Sequence, residues 1–466
     1  MSDKTIFARN AYSEMLDWKR NLADRYALLV EGARRVGKTF LVRHFVEREY
    51  ETSIYIDFSL KSPEVEAAKA AFTGESDIPG ILERLSVTFK TRLVPGRSCI
   101  VFDEVQLFPY ARSLIKSFMF YGRYHYIETG SLVGIRENTD GILIPSEEHG
   151  MRLYPLTFGE FLCASGETLL KERIEKAFWE RTALGGHLHA KALKLFRVFM
   201  SVGGMPQSVE AYLQTGDESR LMASEAAKKE ILRLYDRDIG RYARGYAAKV
   251  RAVFNQIPGA LNSREKKFRL SALSPNARTR RFENAFLWLK DAMLANVAYN
   301  STSPDIGLGM SLESSLFKCY LFDTGLLLSL AMAGGHADER LLRGILYDNL
   351  GVNEGMFFEN AVAQELVAAG HELFFHSVKD NVHPARTMEI DFLFRDGIKI
   401  CPVEVKSGAK CRSHVSLDRF VAAYSRKLGR KYVICAKDLM EEDGILYLPV
   451  YMAGCLFSSA AKGESR

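Results

Sequence analysis

A glycine-rich segment near the start of the chain carries the residue types that bind phosphate. The stretch YALLVEGARRVGKTFLVRHF contains the pattern Gly32-x-x-x-x-Gly37-Lys38-Thr39 between an apolar strand and an amphipathic helix. Glycines let the backbone curl so that its N–H groups face a phosphate at the amino end of the helix. We expect Lys38 to contact the β- and γ-phosphates and Thr39 to bind Mg²⁺. The residues predicted to surround ATP are Gly32, Ala33, Arg34, Arg35, Val36, Gly37, Lys38, Thr39, Phe40 and Ser131.

An acidic pair follows a later apolar strand, about 65 residues after the glycine-rich segment. The run CIVFDEV ends in Asp103 and Glu104, so Asp103 is expected to hold Mg²⁺ through water and Glu104 to polarise the attacking water. The strand YHYIETGS ends in Thr129 and Ser131, which could orient that water or form an ordinary strand-end turn. Several arginines are available to complete the site and none is assigned: Arg34, Arg35, Arg136, Arg152 and Arg241.

A second candidate site lies in the run EIDFLFRDGIKICPVEVKSG. Asp396-Gly397 predicts a two-residue hairpin turn, which places Asp391 opposite Pro402 and diagonal to Glu404, with Lys406 on the same face. The other face is wholly apolar and is predicted to be core; its residues are Ile390, Phe392, Cys401, Val403 and Val405.

The polar face of this hairpin has the chemistry of metal-dependent phosphodiester cleavage. Asp391 and Glu404 could share Mg²⁺, Glu359 on a preceding amphipathic helix could complete the coordination, and Lys406 could stabilise charge on the phosphate. The alternative interpretation is a solvated hairpin face with a lysine–glutamate pair.

A basic stretch lies between the two candidate sites. From 264 to 283 the chain holds seven Arg or Lys residues against two Glu, flanked by predicted helices. This pattern fits a helix-turn-helix or winged-helix unit directed at DNA phosphates, and it equally fits a solvated linker.

The elements that must position these residues fall into three regions. Short apolar strands at 26–32, 52–58, 97–105 and 124–131 alternate with helical patterns, as in a parallel α/β sheet. From about 166 to 335 the pattern is mostly helical, with the last helix predicted to run through ENAFLWLKDAMLANVAY, and β patterns return after about 340.

Composition excludes several classes of protein. The chain has 466 residues, 47% hydrophobic and 26% charged, which suggests about three globular domains. Its apolar runs are too short to span a bilayer, and its first residues do not resemble a secretory signal. Seven scattered cysteines without a CxxC pair favour reduced thiols, so we expect a cytoplasmic protein without a membrane partner. The net charge of +6 permits a nucleic-acid partner without requiring one.

The order of the motifs resembles a large family of prokaryotic AAA-type ATPases that carry a C-terminal domain of unknown function with a restriction-endonuclease-like fold. The resemblance covers about residues 12 to 455 and rests on EGARRVGKT, FDEVQ, TGS, MRLYPLTFGEFL, VGGMP, YLFDTGLL, MEIDFLF and VEVKSG. The ATPase positions of the family are matched by Lys38, Thr39, Asp103 and Glu104, and its nuclease positions by Glu359, Asp391, Glu404 and Lys406. Ile390 stands where a strict nuclease motif has proline.

The resemblance implies an α/β fold in three domains. These are a P-loop AAA+-like parallel α/β/α domain at 1–165, a helical lid and winged-helix-like region at 166–338, and a PD-(D/E)xK nuclease-like α/β domain at 339–466. We expect ATP and Mg²⁺ as cofactors and DNA as a partner, and a homo-oligomer is a possible assembly because AAA+ enzymes usually complete their sites between subunits. The leading hypothesis is an ATPase that is associated with DNA and has a metal-dependent nuclease-like domain. The alternatives are an ATP-switched DNA- or protein-binding regulator that does not cut, and an ATPase that acts on a protein partner.

Overall fold

The computed structural model describes residues 6–74, 77–132, 144–216, 219–263, 265–269, 279–305, 307–332, 344, 354–380, 382–383, 387–408 and 411–461. The chain divides into two compact units. We call Ala8–Tyr154 with Asp291–Met293 the N-terminal unit, and Met1–Phe7, Pro155–Lys290 and Leu294–Arg466 the C-terminal unit. Within the described residues, no helix is both long and apolar enough to cross a membrane.

The N-terminal unit is built on a five-stranded sheet in the order β2-β3-β4-β1-β5, with every neighbouring pair parallel. Its strands are β1 (Ala27–Glu31), β2 (Thr52–Asp57), β3 (Ser98–Asp103), β4 (His125–Gly130) and β5 (Glu148–Arg152). Its helices are α1 (Asn10–Asn21), α2 (Lys38–Glu49), α3 (Pro63–Gly74), α4 (Ile78–Thr88), α5 (Pro109–Ser113) and α6 (Ile115–Tyr121). The four strands predicted from the sequence are confirmed, whereas the polar edge strand β5 was not predicted.

Alternation along the central strand β3 creates a core on each face of this sheet. Cys99 and Val101 pack with residues of α1 and α2, whereas Ile100 and Phe102 pack with residues of α3, α4 and α6. Both faces are therefore covered by helices, as expected for a parallel sheet buried between two helical layers. The predicted parallel α/β architecture is confirmed for this unit.

Helices make up the first half of the C-terminal unit. They are α7 (Phe158–Ala164), α8 (Thr168–Glu180), α9 (Gly186–Val202), α10 (Pro206–Gln214), α11 (Arg220–Tyr242), α12 (Ala247–Asn262) and α13 (Thr279–Asp291). Later helices are α14 (Thr324–Ala331), α15 (Glu354–Ala368), α16 (Val415–Tyr424) and α17 (Ala453–Ala461).

The same unit contains a mixed sheet of eight strands in the order β12-β13-β11-β10-β9-β8-β6-β7. The strands are β6 (Ala295–Ser301), β7 (Leu312–Leu321), β8 (Phe374–Val378), β9 (Met388–Asp396), β10 (Lys399–Lys406), β11 (Lys431–Cys435), β12 (Met440–Glu442) and β13 (Ile445–Pro449). The pairs β9–β10, β8–β9 and β6–β7 are antiparallel, and β6–β8 and β10–β11 are parallel.

One helix prediction is wrong at its end. The helix expected to run through ANVAY stops at Asp291, and Ala295–Ser301 forms strand β6. Met293 has φ +55, a left-handed conformation that ends a helix, and the residues after it pair with β7 and β8. Strands β6 and β7 thus belong to the sheet that also contains the C-terminal strands. The predicted division into three domains stays a prediction, and its boundary at 338 lies outside the described residues.

Candidate functional site

The glycine-rich loop joins β1 to α2, as the sequence predicted. Gly32 has no space for a side chain, because an added Cβ would lie 2.6 Å from the carbonyl oxygen of Leu153. Gly37 precedes the helix with φ +103, a conformation that glycine adopts without strain. Helix α2 then begins at Lys38, so its first N–H groups have no partner within the helix and can serve an anion.

The ammonium of Lys38 is buried inside this loop. Its Nζ donates to the carbonyl oxygens of Gly32 (2.9 Å) and Ala33 (3.1 Å) and to Oγ of Ser131 (2.7 Å). Burial lowers the pKa of Lys38 to about 8, although Glu104 and Asp103 act in the opposite direction. A phosphate at this position would bring a negative charge next to the ammonium, whose hydrogen-bond acceptors are all neutral.

Three hydroxyl groups converge on Asp103 at the end of β3. Thr39 Oγ1 donates to Asp103 Oδ1 at 3.2 Å, Thr129 Oγ1 donates to the same oxygen, and Tyr55 OH donates to Oδ2 at 2.8 Å. Burial, followed by the charge of Asp103, raises the pKa of Tyr55 well above its ordinary value, so Tyr55 remains a donor. The hydroxyl of Thr39 and the carboxylate of Asp103 are hard oxygen donors of the type that Mg²⁺ prefers.

Glu104 follows Asp103 in a left-handed conformation with φ +55. This turn separates the two acids: the backbone N–H of Glu104 donates to Thr129 Oγ1 at 3.3 Å, and the carboxylate accepts a hydrogen bond from Nε2 of Gln106. A non-glycine residue rarely adopts such a conformation unless its surroundings impose it. The carboxylate of Glu104 therefore has a different hydrogen-bond partner from the three hydroxyl groups that contact Asp103.

The structure brings most of the predicted nucleotide residues into one place. Lys38 is hydrogen-bonded to Ser131, and Thr39 and Thr129 are both hydrogen-bonded to Asp103. In the loop itself, Ala33 and Val36 are buried, Arg34 and Arg35 are exposed, and Phe40 is half-buried on α2. Arg136, an arginine considered for the site, lies outside the described residues.

Sequence reasoning missed Tyr55 and Gln106. Tyr55 lies on β2, which was predicted as a strand, but a strand pattern does not show that one hydroxyl reaches an acid on the neighbouring strand. Gln106 stands two residues after Glu104, where its position in FDEVQ was the available signal.

The second candidate site has a different hairpin register from the one predicted. The turn is formed by Gly397 and Ile398, not by Asp396 and Gly397, and Lys399 pairs with Asp396. Gly397 has φ +56, so the glycine takes the first turn position. The predicted register is therefore wrong by two residues: Pro402 faces Leu393 rather than Asp391. A shift of two keeps every side chain on its predicted face, and the apolar face is buried as expected.

Lysine side chains engage the predicted metal ligands. Lys318 Nζ on β7 lies 3.1 Å from Glu359 Oε1 and 3.3 Å from Asp391 Oδ1. Glu404 pairs instead with Lys406 at 2.6 Å. Burial alone would raise the pKa of Glu359, but Lys318 and Lys266 lower it to about 2. Among the residues that the structure describes, no group of three or more His, Cys, Asp or Glu side chains is arranged to hold a metal ion.

Part of the basic stretch, which was interpreted either as a DNA-binding unit or as a solvated linker, points into the protein. Lys266 Nζ contacts Glu359 Oε2, and Lys267 Nζ lies 3.2 Å from Glu389 Oε2. Arg269 pairs with Glu265 at 2.8 Å. The remaining basic residues of the stretch lie outside the residues whose side chains are described: Arg264, Arg278, Arg280 and Arg281. The positive charges of Lys266 and Lys267 are therefore used in ion pairs within the C-terminal unit.

Family models match three separate parts of the chain. Residues 24–162 match the model of the AAA domain. Residues 193–337 match a domain of unknown function (DUF8612), and residues 354–452 match a second one (DUF4143). The first match spans the parallel sheet, the glycine-rich loop and the acidic pair. The N-terminal unit is therefore a P-loop ATPase domain of the AAA type, and the resemblance stated above is confirmed to that extent.

Solved structures show similarities at low scores. The Walker-type ATPase of Pyrococcus abyssi is 17% identical, with a TM-score of 0.42, over 70% of this chain and 96% of its own. The ORC2 protein of Aeropyrum pernix, solved in ADPNP–ADP complexes, is 12% identical, with a TM-score of 0.39, over 74% of this chain and 97% of its own. Curated proteins gave no match.

Proposed function

We propose that the chain hydrolyses ATP at the site formed by the glycine-rich loop, Asp103 and Glu104. In this proposal the loop and Lys38 bind the β- and γ-phosphates, and Glu104 polarises the attacking water. Thr129 and Ser131 lie beside the acids and Lys38, where they can orient that water or the γ-phosphate.

The contact between Thr39 and Asp103 carries this proposal. The two side chains come from α2 and from the end of β3, yet their oxygens lie 3.2 Å apart. Thr39 and Asp103 are the residues that would hold Mg²⁺, which neutralises phosphate charge when it is bound. Tyr55 and Thr129 fix the direction of the Asp103 carboxylate, because each donates a hydrogen bond to one of its oxygens.

The test separates nucleotide binding from hydrolysis. Glu104→Gln should bind ATP normally and hydrolyse it about 100-fold or more slowly, because an amide cannot accept the proton of water. Glu47→Gln, an exposed acid on α2, makes the same change in charge and serves as the control. Normal turnover by Glu104→Gln would show that another group activates the water.

For the C-terminal unit, the proposal is an ATP-switched role in binding DNA, on a nuclease-like fold that does not cut. The hairpin of β9 and β10 presents Asp391, Glu404 and Lys406 on one face, as a nuclease-like site would. The observation against cleavage is that Lys318 already contacts Asp391 and Lys406 already pairs with Glu404.

DNA assays distinguish these possibilities. Wild type and Asp391→Ala are incubated with plasmid and linear DNA, with Mg²⁺ or Mn²⁺, in the presence and absence of ATP. We expect no cleavage by either protein and faster ATP hydrolysis when DNA is added. Cleavage by the wild type that disappears in Asp391→Ala would establish a nuclease instead. Unchanged ATP hydrolysis with DNA would favour a protein partner.

A further inference from the structure

One buried ammonium group stands at the centre of three carboxylates in the C-terminal unit. Lys318 Nζ lies 3.1 Å from Glu359 Oε1, 3.0 Å from Glu389 Oε1 and 3.3 Å from Asp391 Oδ1. The side chain of Lys318 is fully buried, and so is that of Glu359. The acids come from α15 and β9, and Lys318 comes from β7. We call these four residues the Lys318 cluster.

Further donors engage the carboxylates of the Lys318 cluster. Lys266 contacts Glu359 Oε2, and Lys267 lies 3.2 Å from Glu389 Oε2. The backbone N–H of Val405 donates to Asp391 Oδ2 at 2.9 Å, and Tyr320 OH donates to Glu359 Oε1 at 2.5 Å. Each of the three carboxylates therefore has both oxygens engaged by donors.

The charges of this region balance without a divalent cation. Three carboxylates of the Lys318 cluster face three ammonium groups, those of Lys318, Lys266 and Lys267. Glu404, the remaining predicted metal ligand, pairs with Lys406. A divalent cation binds where several carboxylates leave uncompensated negative charge, and here three ammonium groups already compensate the three carboxylates of the cluster. The residues present therefore do not fit the metal site that a nuclease-like domain implies.

We propose that Lys318 is the fixed counter-charge of this cluster and occupies the place that a divalent cation would take. The cluster is then an ion-pair network that joins β7, β9 and α15, and it binds no divalent metal while Lys318 is present. This inference does not depend on ATP hydrolysis in the N-terminal unit. Its test is Mn²⁺ binding by the protein, a measurement that does not involve DNA cleavage.

The experiment measures Mn²⁺ uptake by electron paramagnetic resonance on the full chain without nucleotide. Every protein carries Thr39→Ala, so that the nucleotide site does not contribute. The parent protein and its Asp391→Asn variant should take up the same amount of Mn²⁺. Lys318→Met, which removes the ammonium from a side chain of similar length, should gain a bound Mn²⁺ that is lost when Asp391→Asn is added. Lys379→Met, at an exposed lysine, should gain none.

Thermal unfolding provides a second readout. Added Mn²⁺ should raise the Tm of Lys318→Met and leave the Tm of the parent protein unchanged, because a ligand stabilises only the protein that binds it. Lys318→Gln, which keeps two N–H donors, serves in both assays if Lys318→Met does not fold. Mn²⁺ bound by the parent protein and lost in Asp391→Asn would overturn the proposal. A folded Lys318 variant that binds no Mn²⁺ would also overturn it, since Lys318 would then not be what excludes the metal.

Discussion

Replacing Glu365 by glutamine should remove a pH dependence from the stability of the C-terminal unit. Glu365 lies on α15 and is buried; its Oε1 accepts a hydrogen bond of 2.7 Å from the backbone N–H of Phe158, the first residue of α7. Its other oxygen packs against Gly454, where an added Cβ would lie only 2.6 Å away. Burial raises the pKa of Glu365 to about 7, and Glu160 acts in the same direction, although the Phe158 N–H opposes them.

The size of the effect follows from that pKa. Below the ordinary value of 4.5, folded and unfolded chains both hold the proton and stability is unaffected. Between 4.5 and about 7 only the folded chain holds it, so the free energy of unfolding falls by about 1.4 kcal/mol per pH unit. By pH 7 this loss reaches about 3 kcal/mol. Glutamine keeps a carbonyl oxygen for Phe158 and has no proton to lose.

Urea unfolding of both proteins, followed by circular dichroism from pH 4.5 to 8.5, measures this difference. The stability of Glu365→Gln relative to wild type should rise by about 3 kcal/mol across the range and level off above pH 7. Glu372→Gln, an exposed acid in the same unit, should follow the wild-type profile. A difference between Glu365→Gln and wild type that stays constant with pH would refute the reasoning.

Two further substitutions test a hydrogen bond in the N-terminal unit and a close backbone contact in the C-terminal unit. Tyr55→Phe removes a hydrogen bond that positions Asp103, so it should lower kcat for ATP hydrolysis about tenfold, which corresponds to about 1.4 kcal/mol. It should also raise the Mg²⁺ concentration needed for half-maximal turnover. An unchanged Mg²⁺ dependence would contradict this prediction. Gly204→Ala should destabilise the C-terminal unit by about 3 kcal/mol or more in urea unfolding, since its Cβ would lie 2.2 Å from the Leu156 carbonyl oxygen. Gly186→Ala, which meets nothing within 4 Å, is the control and should be near neutral.

The nucleotide site could be predicted because its determinants are local in the chain. The loop from Gly32 to Thr39 specifies its own turn and helix start, and Asp103 ends an apolar strand of a parallel sheet. Parallel strands end at the same edge, so the acid and the loop must meet there. Tyr55 could not be predicted in the same way, because its contact with Asp103 depends on which strand is the neighbour of β3.

The C-terminal hairpin was predictable to a lesser degree. Alternation fixed which residues share a face, and this prediction does not change when the register moves by two. The turn residues could be Asp396 and Gly397, with glycine second, or Gly397 and Ile398, with glycine first. Both arrangements make two-residue hairpin turns, and the structure has the second. The predicted faces were therefore correct although the predicted partner of Asp391 was not.

The role of the C-terminal acids could not be read from their motif, because a motif names ligands and not their counter-charge. Lys318 precedes Asp391 by 73 residues and belongs to a strand that follows the one mistaken for a helix end. Lys266 and Lys267 looked like part of a basic surface stretch, yet both contact carboxylates inside the unit. The acids of the Lys318 cluster are Glu359, Glu389 and Asp391. These acids would bind a metal if the facing residues were neutral and would form ion pairs if they were lysines. What they do is therefore decided by β7 and by the residues before α13, and their own spacing is compatible with either outcome.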